Sequence, residues 1–565
     1  MKGEPVNRHA LHVFFRLFWG CMVHLSIETN LFSKQSAKPM KKIHLLGLIL
    51  VLLGSCTHKV FYENNPRDTR AAGFVYLQDG HFMCNDTAWF STLINYKVDW
   101  RKFGDTVCIS PACYYEDPDE WECSDARGTN SQLLKHIAFC DSLGFNTVRF
   151  CIDVVNKDDN GYYYGSGEHP AYLIRDSSAI FQAIDTLLCL CDSVGLRAML
   201  LLKPPLDEEL TAFTEALLRH CADNPTIFAY DFMNEPLYFD PAETRDKHDA
   251  YRIVDGWRNM MNRYAPHQLF TIGFAEPIEV FEWDPSILPV DFVEVHTYHP
   301  LRVASEMYWY GHYCGKLWMV GETALPADGD SVPYLWQERF FRESFQCAID
   351  NGAIGYGWWE FQDCPQGVNF EAQYTGILNH VGSIATPYGN IIGSVKMDCP
   401  LPLFQWKKSG DYGRIATMRK PTTTPPVNYY NMLGYKNLAL EGTVIDATTH
   451  KPIEGAVVRG WNEYWSVGEN TFSDSQGRFS LVSNDIMSHF EISAPGYEKK
   501  KFDKRIDYQP NPTPERLPDR ELEYQQISYR PFLTSDSLLL GLNPSMFVTP
   551  STVGKINTIK LSKLK

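Results

Sequence analysis

Two glutamates stand at the ends of apolar runs, where a buried strand would give way to a loop. Glu235 ends the stretch YDFMNE at residues 230–235, and Glu322 ends LWMVGE at 317–322. The proline after Glu235 stops that strand from continuing. A carboxylate is costly at the end of a buried run unless its charge is used. The pair is therefore a candidate for acid–base and nucleophilic chemistry.

Between residues 70 and 400, short apolar runs alternate with amphipathic helical patterns, several of which end on glycine. This alternation predicts a parallel sheet covered by helices. The eight runs are 81–89, 145–152, 197–203, 227–236, 268–274, 291–298, 317–323 and 353–361. Eight units predict an α/β fold, a (β/α)8 TIM barrel, with its site at the C-terminal strand ends. The alternative, a doubly wound open sheet, would be expected to show a phosphate-binding glycine fingerprint, which the sequence lacks.

The spacing of the two glutamates fits opposite sides of such a barrel. Glu322 follows Glu235 by 87 residues, or three βα units of roughly 30 residues each. The glutamates then end strands 4 and 7 and can face each other across a substrate. Retaining glycosidases need two carboxyl groups about 5–5.5 Å apart, one as acid and one as nucleophile. Repulsion between carboxylates this close raises the pKa of one of them.

The segment 70–400 resembles glycoside hydrolase family 5, the cellulase- and mannanase-like retaining enzymes. The resemblance lies in Asn-Glu-Pro at the end of strand 4 and Gly-Glu at the end of strand 7. It implies that Glu235 is the acid/base, Glu322 the nucleophile, and Asn234 a ligand of the sugar 2-hydroxyl. It further implies hydrolysis of O-glycosidic bonds in a β-linked polysaccharide or oligosaccharide, with no metal and no organic cofactor.

The same resemblance implies roles on three other strands. Arg149, in NTVRF, would keep the nucleophile ionised. His296 and Tyr298, in VHTYHP, share one strand face and would surround the nucleophile and the sugar. Trp358 and Trp359 point to opposite faces, so only one can floor the sugar site, and Trp359 is the preferred candidate.

Other strand ends carry weaker expectations. Asn85, Asp86 and Trp89 follow the predicted first strand and are candidates to line the site. Lys203, after strand 3, has no assigned role. The stretch 90–130 is long for a loop and is expected to shape the substrate cleft.

The N-terminal region has the features of an export signal. Residues 40–56 have a basic start, an apolar core and small residues before a cysteine, which predicts a signal peptide. Leu-Gly-Ser-Cys resembles a bacterial lipobox, which implies lipidation of Cys56. That would make the protein an exported lipoprotein, anchored to a membrane at the periplasmic or cell-surface side. The alternative is a plain signal peptide with an incidental cysteine. Because the signal peptide starts at Met40, residues 1–39 are expected to form an upstream extension.

The C-terminal region has a different texture. Residues 401–437 contain a Pro/Thr-rich run and predict a linker. Residues 438–565 resemble the carboxypeptidase regulatory-like domain, a small all-β sandwich, which implies a structural or adaptor module. The resemblance rests on Gly442-x-Val444, Gly455-Ala456-Val457, Asp474-x-x-Gly477-x-Phe479 and Gly496-Tyr497.

Composition narrows the classes of partner. The formal net charge of −16 argues against nucleic acid. No Cys/His spacing resembles a zinc site. The chain has 14 Trp, 30 Tyr and 33 Phe, most of them expected in the core and some as exposed platforms for sugar rings. Two other functions remain open, a catalytically inactive carbohydrate-binding barrel and a surface adhesion lipoprotein acting through the sandwich. Transglycosylation would use the same intermediate as hydrolysis.

Overall fold

The computed structural model describes most of the chain from residue 67 onward. The described residues are 67–111, 123–152, 155–157, 163–165, 172–173, 177–242, 244–365, 367, 369–397, 412–428, 438–504, 508–510 and 552–564. The predicted upstream extension 1–39 and signal peptide 40–56, with Cys56, lie outside this part of the chain. No helix in the described ranges is long and apolar enough to cross a membrane.

Eight parallel strands of the described chain close into a barrel. They are β1 (Ser91–Phe103), β2 (Thr147–Cys151), β3 (Arg197–Leu201), β4 (Ile227–Asn234), β5 (Leu269–Phe274), β6 (Val293–His296), β7 (Trp318–Glu322) and β8 (Gly355–Trp358). Each pairs with the next along the chain, and β8 returns to β1 with Gly355 opposite Ser91. This closure confirms the predicted TIM barrel and rules out the open sheet.

Helices cover the outside of the barrel. The longer ones in the described ranges are Ala126–Ser142, Ser177–Val194, Glu208–His220, Lys247–Tyr264, Val303–His312 and Tyr334–Asp350. The shorter ones are Pro236–Phe239, the 3₁₀ turn Pro277–Phe281, Phe370–Gln373 and Tyr412–Met418. Gly144 and Gly195 follow two of the longer helices with φ of 92° and 74°, the left-handed conformation that ends a helix without steric cost.

The predicted first strand at 81–89 is wrong. Asn85 and Asp86 adopt φ of 48° and 59°, so the chain turns back there into a hairpin. Its two strands pair antiparallel with each other, and the first of them also pairs antiparallel with Val75–Gln78. They are His81–Cys84 and Thr87–Trp89. The first barrel strand is instead Ser91–Phe103, inside the stretch expected to be a cleft-forming loop.

The hairpin sheet closes the N-terminal end of the barrel. Phe82 is fully buried, and its ring meets Phe228 and Phe292 edge-on at centroid distances of 4.9 and 5.1 Å. Trp89 packs in the same cluster against the starts of the barrel strands. Asn85, Asp86 and Trp89 therefore belong to this closed end and do not line the C-terminal mouth.

Smaller sheets are formed by segments that connect or follow the barrel strands. The strand Thr106–Pro111 extends β1 as an antiparallel ribbon. The others are Val155–Lys157, Tyr163–Gly165 and Tyr172–Leu173, and the hairpin Ser383–Thr386 with Gly389–Ile392.

Two further sheets face each other at the C-terminal end of the chain, which confirms the predicted all-β sandwich. One contains Arg478–Ser483, Leu438–Asp446, Thr552–Lys555, Tyr508–Pro510 and Ile559–Leu561. The other contains Gly468–Phe472, Val457–Asn462, Met487–Ser493 and Lys500–Asp503. The core between them is aliphatic and aromatic, with Leu440, Val458, Leu481, Phe490 and Ile492 buried.

Specific contacts join the sandwich to the barrel. The indole of Trp309 donates to the carbonyl of Gly455 at 2.8 Å. The buried amine of Lys247 lies 2.8 Å from Asp284 and donates to the carbonyl of Ala494 at 3.1 Å. Gly496 N–H donates to the same Asp284 carboxylate at 2.8 Å. Within the predicted linker, the helix Tyr412–Met418 packs on the barrel through Ile415, which is buried. The domain limits 70–400, 401–437 and 438–565 stay predictions.

The hairpin sheet gives a first test. We expect Phe82→Ala to lower the free energy of unfolding by about 3–5 kcal/mol, because it opens a cavity among the strand ends. Leu335→Ala removes a side chain that is 63% exposed and should change it by less than about 0.5 kcal/mol. Urea unfolding followed by tryptophan fluorescence measures both, and equal stability of the two variants would contradict the packing role of Phe82.

Candidate active site

The two sequence-predicted glutamates meet at the C-terminal mouth of the barrel. Glu235 directly follows β4, and Glu322 ends β7. One carboxylate oxygen of each and a ring nitrogen of His296 all lie within 4.8 Å of one another. The side chains of Glu235 and Glu322 are 15% and 6% exposed. The pair is thus close together in a pocket that is largely screened from solvent.

The backbone at Glu235 turns its side chain into the mouth. Glu235 adopts φ of 40°, a left-handed conformation that is uncommon for a residue with a side chain. Its N–H donates to the carbonyl of Gly273 at 2.7 Å, across a register shift between Asp231 and Asn234. Proline then begins the short helix Pro236–Phe239. The Asn-Glu-Pro triplet therefore marks a sharp change of chain direction that sets where the carboxylate points.

Arg149 lies beneath the pair and is completely buried. Its guanidinium donates to side chains of three other strands: Glu322 Oε1 at 2.6 Å, Asp231 Oδ2 at 2.6 Å, Asn234 Oδ1 at 2.8 Å and Asn95 Oδ1 at 2.9 Å. Burial alone would lower the pKa of Arg149, but the surrounding carboxylates of Glu294, Asp231 and Glu322 raise it well above its usual value. Arg149 is therefore a permanent cation that holds Oε1 of Glu322 in place.

Tyr298 supplies a second donor to Glu322. The phenol donates to Oε2, while Arg149 holds Oε1. Burial, together with the charges of Glu322 and Glu235, raises the pKa of Tyr298 well above its usual value. The phenol therefore stays protonated and able to donate. Both oxygens of Glu322 accept a hydrogen bond, which fixes the plane of the carboxylate.

His296 lies between the two glutamates. Its Nδ1 is 2.9 Å from Glu235 Oε1 and 3.6 Å from Glu322 Oε1, and its Nε2 is 3.8 Å from Glu294 Oε1. Burial lowers the pKa of His296, but Glu322 and then Glu235 and Glu294 outweigh it and raise the pKa to about 10. The imidazole is therefore a cation that donates Nδ1–H to Glu235.

Asn234 has a fixed amide orientation. Its Oδ1 accepts from Arg149 Nη2 at 2.8 Å. Because a guanidinium can only donate, the oxygen must face Arg149. The amide nitrogen is then the atom that Asn234 can offer as a donor to a ligand hydroxyl.

The structure separates the two tryptophans after β8. Trp358 is fully buried, and its indole donates to the carbonyl of Thr375 at 3.0 Å. Trp359 is half-buried. Its backbone N–H donates to the carbonyl of Thr323, next to Glu322, at 3.1 Å. The Trp359–Glu360 peptide bond is cis. Of the two, Trp359 is the one whose ring keeps some exposure, and its backbone adjoins the residue after Glu322.

Three residues of the site were missed in the sequence. Asn95 was overlooked because it lies on β1, which was misplaced. Asp231 and Glu294 are fully buried acids on β4 and β6, and Glu294 lies 3.3 Å from Arg149 Nε. Glu294 stands two residues before His296, so the alternation of strand side chains was a usable signal for it. Gly321 makes room for Glu294, because a Cβ there would overlap its carboxylate.

Lys203 lies away from this group. It is exposed and borders a cavity of about 100 Å³ lined by side chains such as Trp100, Ile184 and Phe213. The sequence assigned no role to Lys203, and the structure places it at the edge of this cavity.

The set Glu235, His296 and Glu322 has the spacing of a metal site. Metal ligation would require His296 to lose its proton and Glu322 to give up donors, since Arg149 and Tyr298 already occupy its oxygens. A second set in the described residues, Asp185, His220 and Cys221, includes a thiol whose pKa burial raises to about 12. Metals bind thiolates, so a metal at this second set would have to displace the proton of Cys221.

The charge on His296 predicts a pH dependence of stability. Its folded pKa of about 10 exceeds the unfolded value of about 6.5. The charged form therefore stabilises the fold fully below about pH 6.5, and the contribution is lost as the pH rises towards 10. We expect the gap in unfolding free energy between wild type and His296→Gln to narrow over this range in urea titrations. Leu335→Ala removes an exposed side chain that does not titrate and should show a constant gap, whereas a constant gap for His296→Gln would contradict the assignment.

Comparisons with known proteins give remote likenesses. No protein-family model matches the sequence, and no curated protein matches it. The structure is similar to the endo-1,4-beta-mannanase of Rhizomucor miehei, with 11% identity, 53% of this chain and 93% of that chain covered, and a TM-score of 0.37. It is similar to the Faecalibacterium prausnitzii beta-glucuronidase at 13% identity, with 54% and 48% covered and a TM-score of 0.36. It is also similar to the endo-1,4-beta-mannanase of Eisenia fetida, with 15% identity, 53% of this chain and 91% of that chain covered, and a TM-score of 0.35. The barrel itself is established by the strand pairing of this chain.

Proposed function

We propose that this protein is a retaining glycoside hydrolase that cleaves a β-linked glycan. The observation that carries the proposal is that one carboxylate oxygen of Glu235 and one of Glu322 lie within 4.8 Å of each other. Retaining enzymes hold their carboxyl groups about 5–5.5 Å apart, whereas inverting enzymes leave about 6.5–9.5 Å for a water molecule. The separation here favours direct attack by one of the carboxylates.

Glu322 is the better nucleophile of the two. Arg149 and Tyr298 donate to its two oxygens, which fixes the orientation of the carboxylate for attack. Glu235 is the more exposed carboxyl, as an acid that must reach a leaving-group oxygen has to be. In the first step Glu322 bonds to the anomeric carbon, the glycosidic C–O bond breaks, and Glu235 gives its proton to the departing oxygen.

The second step restores the enzyme. Glu235, now a carboxylate, takes a proton from water, and the water oxygen bonds to the anomeric carbon while the ester bond to Glu322 breaks. Asn234 can donate its amide N–H to the sugar 2-hydroxyl, and Trp359 can contact the sugar ring. A second sugar in place of water would give transglycosylation through the same intermediate.

The wider assignments go with this proposal. We propose membership of glycoside hydrolase family 5, and export as a lipoprotein through Cys56 with a membrane anchor. We also propose a carboxypeptidase regulatory-like identity for the sandwich. An inactive carbohydrate-binding barrel is not favoured, because both carboxylates are present with their hydrogen-bond donors in place.

Removing either carboxylate tests the roles. We expect Glu322→Gln to lose on the order of 10⁴-fold or more in kcat/KM, since no covalent intermediate can form. Glu235→Ala should lose roughly 10²–10⁴-fold on natural glycans, because the leaving group is no longer protonated. Activity is measured on a panel of β-linked glycans with product analysis.

Azide distinguishes the two roles. It should restore turnover of Glu235→Ala on substrates with activated leaving groups, by attacking the glycosyl-enzyme and releasing a β-glycosyl azide. Glu208→Gln, an exposed helix residue, serves as the control and should keep wild-type rates. Full activity of either active-site variant would refute the assignment.

The stereochemistry gives an independent test. We expect the first-formed product to keep the β-configuration, because two displacements at one carbon restore the original geometry. Proton NMR in the first minutes of hydrolysis, before mutarotation, reads the anomeric signal. An α-product appearing first would show single displacement and overturn the nucleophile role of Glu322.

A further inference from the structure

Two aromatic side chains stand in solvent immediately after the proposed acid/base. Tyr238 is 58% exposed and Phe239 is 60% exposed, and both lie on the short helix Pro236–Phe239. Single exposed apolar residues are ordinary, but two adjacent aromatic rings beside a reacting carboxyl form a surface that a ligand can cover.

The helix that carries these rings is held at both ends. At its start, Glu235 N–H donates to Gly273 O at 2.7 Å. At its end, the Asp240 carboxylate accepts from Trp283 Nε1 at 2.8 Å and from Arg245 Nη2 at 2.6 Å. The rings are therefore presented on a fixed segment, which lowers the entropy cost of binding against them.

The hydroxyl of Tyr238 is also fixed. It donates to Glu276 Oε1 at 3.0 Å, and the same oxygen accepts from Arg302 Nη1 at 2.8 Å. Arg302 Nε in turn donates to the backbone carbonyl of Tyr298 at 3.4 Å. Glu276 and Arg302 are 12% and 19% exposed. The ring is thus anchored at its polar end beside a charged pair that keeps some access to solvent.

The proposed role of Glu235 indicates which part of a substrate would lie beside Tyr238 and Phe239. Glu235 protonates the leaving-group oxygen, so the surface that continues from Glu235 borders the leaving group. We propose that Tyr238 and Phe239, with Glu276 and Arg302 at their edge, form a subsite for a leaving-group sugar. This inference rests on the proposed function. The apolar face of the sugar would stack on the Tyr238 ring, and its hydroxyls would pair with the charged groups.

The subsite predicts a split between two kinds of substrate. An oligosaccharide places a sugar on Tyr238, whereas a methyl β-glycoside of the same sugar needs the same proton from Glu235 but has a leaving group too small to reach Tyr238. We expect Tyr238→Ala to lower kcat/KM for the oligosaccharide by roughly 10-fold, as for the loss of one aromatic stacking contact. Its kcat/KM on the methyl glycoside should stay within about twofold of wild type.

Matched variants sharpen the test. Tyr238→Phe keeps the ring and loses only the bond to Glu276, so it should retain most of the oligosaccharide activity. Tyr388→Ala removes another tyrosine, 45% exposed in a distant hairpin, and should leave both substrates unaffected. Circular dichroism melting confirms that each variant is folded.

The outcomes separate the subsite from the function. Equal loss on both substrates would show that Tyr238 only positions Glu235, and no loss on either would show that no sugar binds there; each overturns the subsite while the enzyme stands. A wild-type protein that turns over neither the methyl glycoside nor any glycan overturns the proposed function, and the subsite with it.

Discussion

One buried guanidinium organises the mouth of this barrel. Arg149 on β2 donates to Asn95 on β1, Asp231 and Asn234 on β4, and Glu322 on β7. Taking such a charge out of water costs several kcal/mol, which only well-placed anions and hydrogen bonds offset. The strand ends that carry the reacting groups are therefore tied to one another by the same bonds that keep Arg149 satisfied.

The same arrangement explains why the site tolerates so many acids. Asp231, Glu294 and Glu322 are all buried around Arg149, and His296 adds a second positive charge between the two reacting carboxyls. The glycines on the neighbouring strands supply the space that these side chains need. Electrostatic balance and packing are thus a single requirement here, and a change at Arg149 would strand several uncompensated charges at once.

Much of the barrel could be predicted because seven of its strands are short apolar runs between helical patterns. β1 escaped because it is 13 residues long and carries polar residues, such as Asn95 and Lys97, on its inward face. The neighbouring run 81–89 is more apolar and looked like the better strand. Local pattern identifies buried segments but does not say whether a segment turns back on itself, which here depends on Asn85 and Asp86.

Site residues that belong to a recognisable motif were predicted from the sequence. Site residues that can be identified only through the side chain they contact were missed. Glu235, Glu322, Arg149 and His296 were all expected at the mouth, and the structure brings them together. Asp231 was not expected, since its partner Arg149 is 82 positions away in the chain. Nothing in the spacing of nearby residues encodes an ion pair over that distance.

The join between barrel and sandwich has a consequence for how the chain holds together. Trp309 and Lys247 are barrel residues that are almost fully buried. Each donates a hydrogen bond to a backbone carbonyl of the sandwich. A barrel cut free at residue 437 would present a bare indole and an amine short of one acceptor to water. The barrel and the sandwich are thus bonded directly to each other, and separating them would leave both donors without these acceptors.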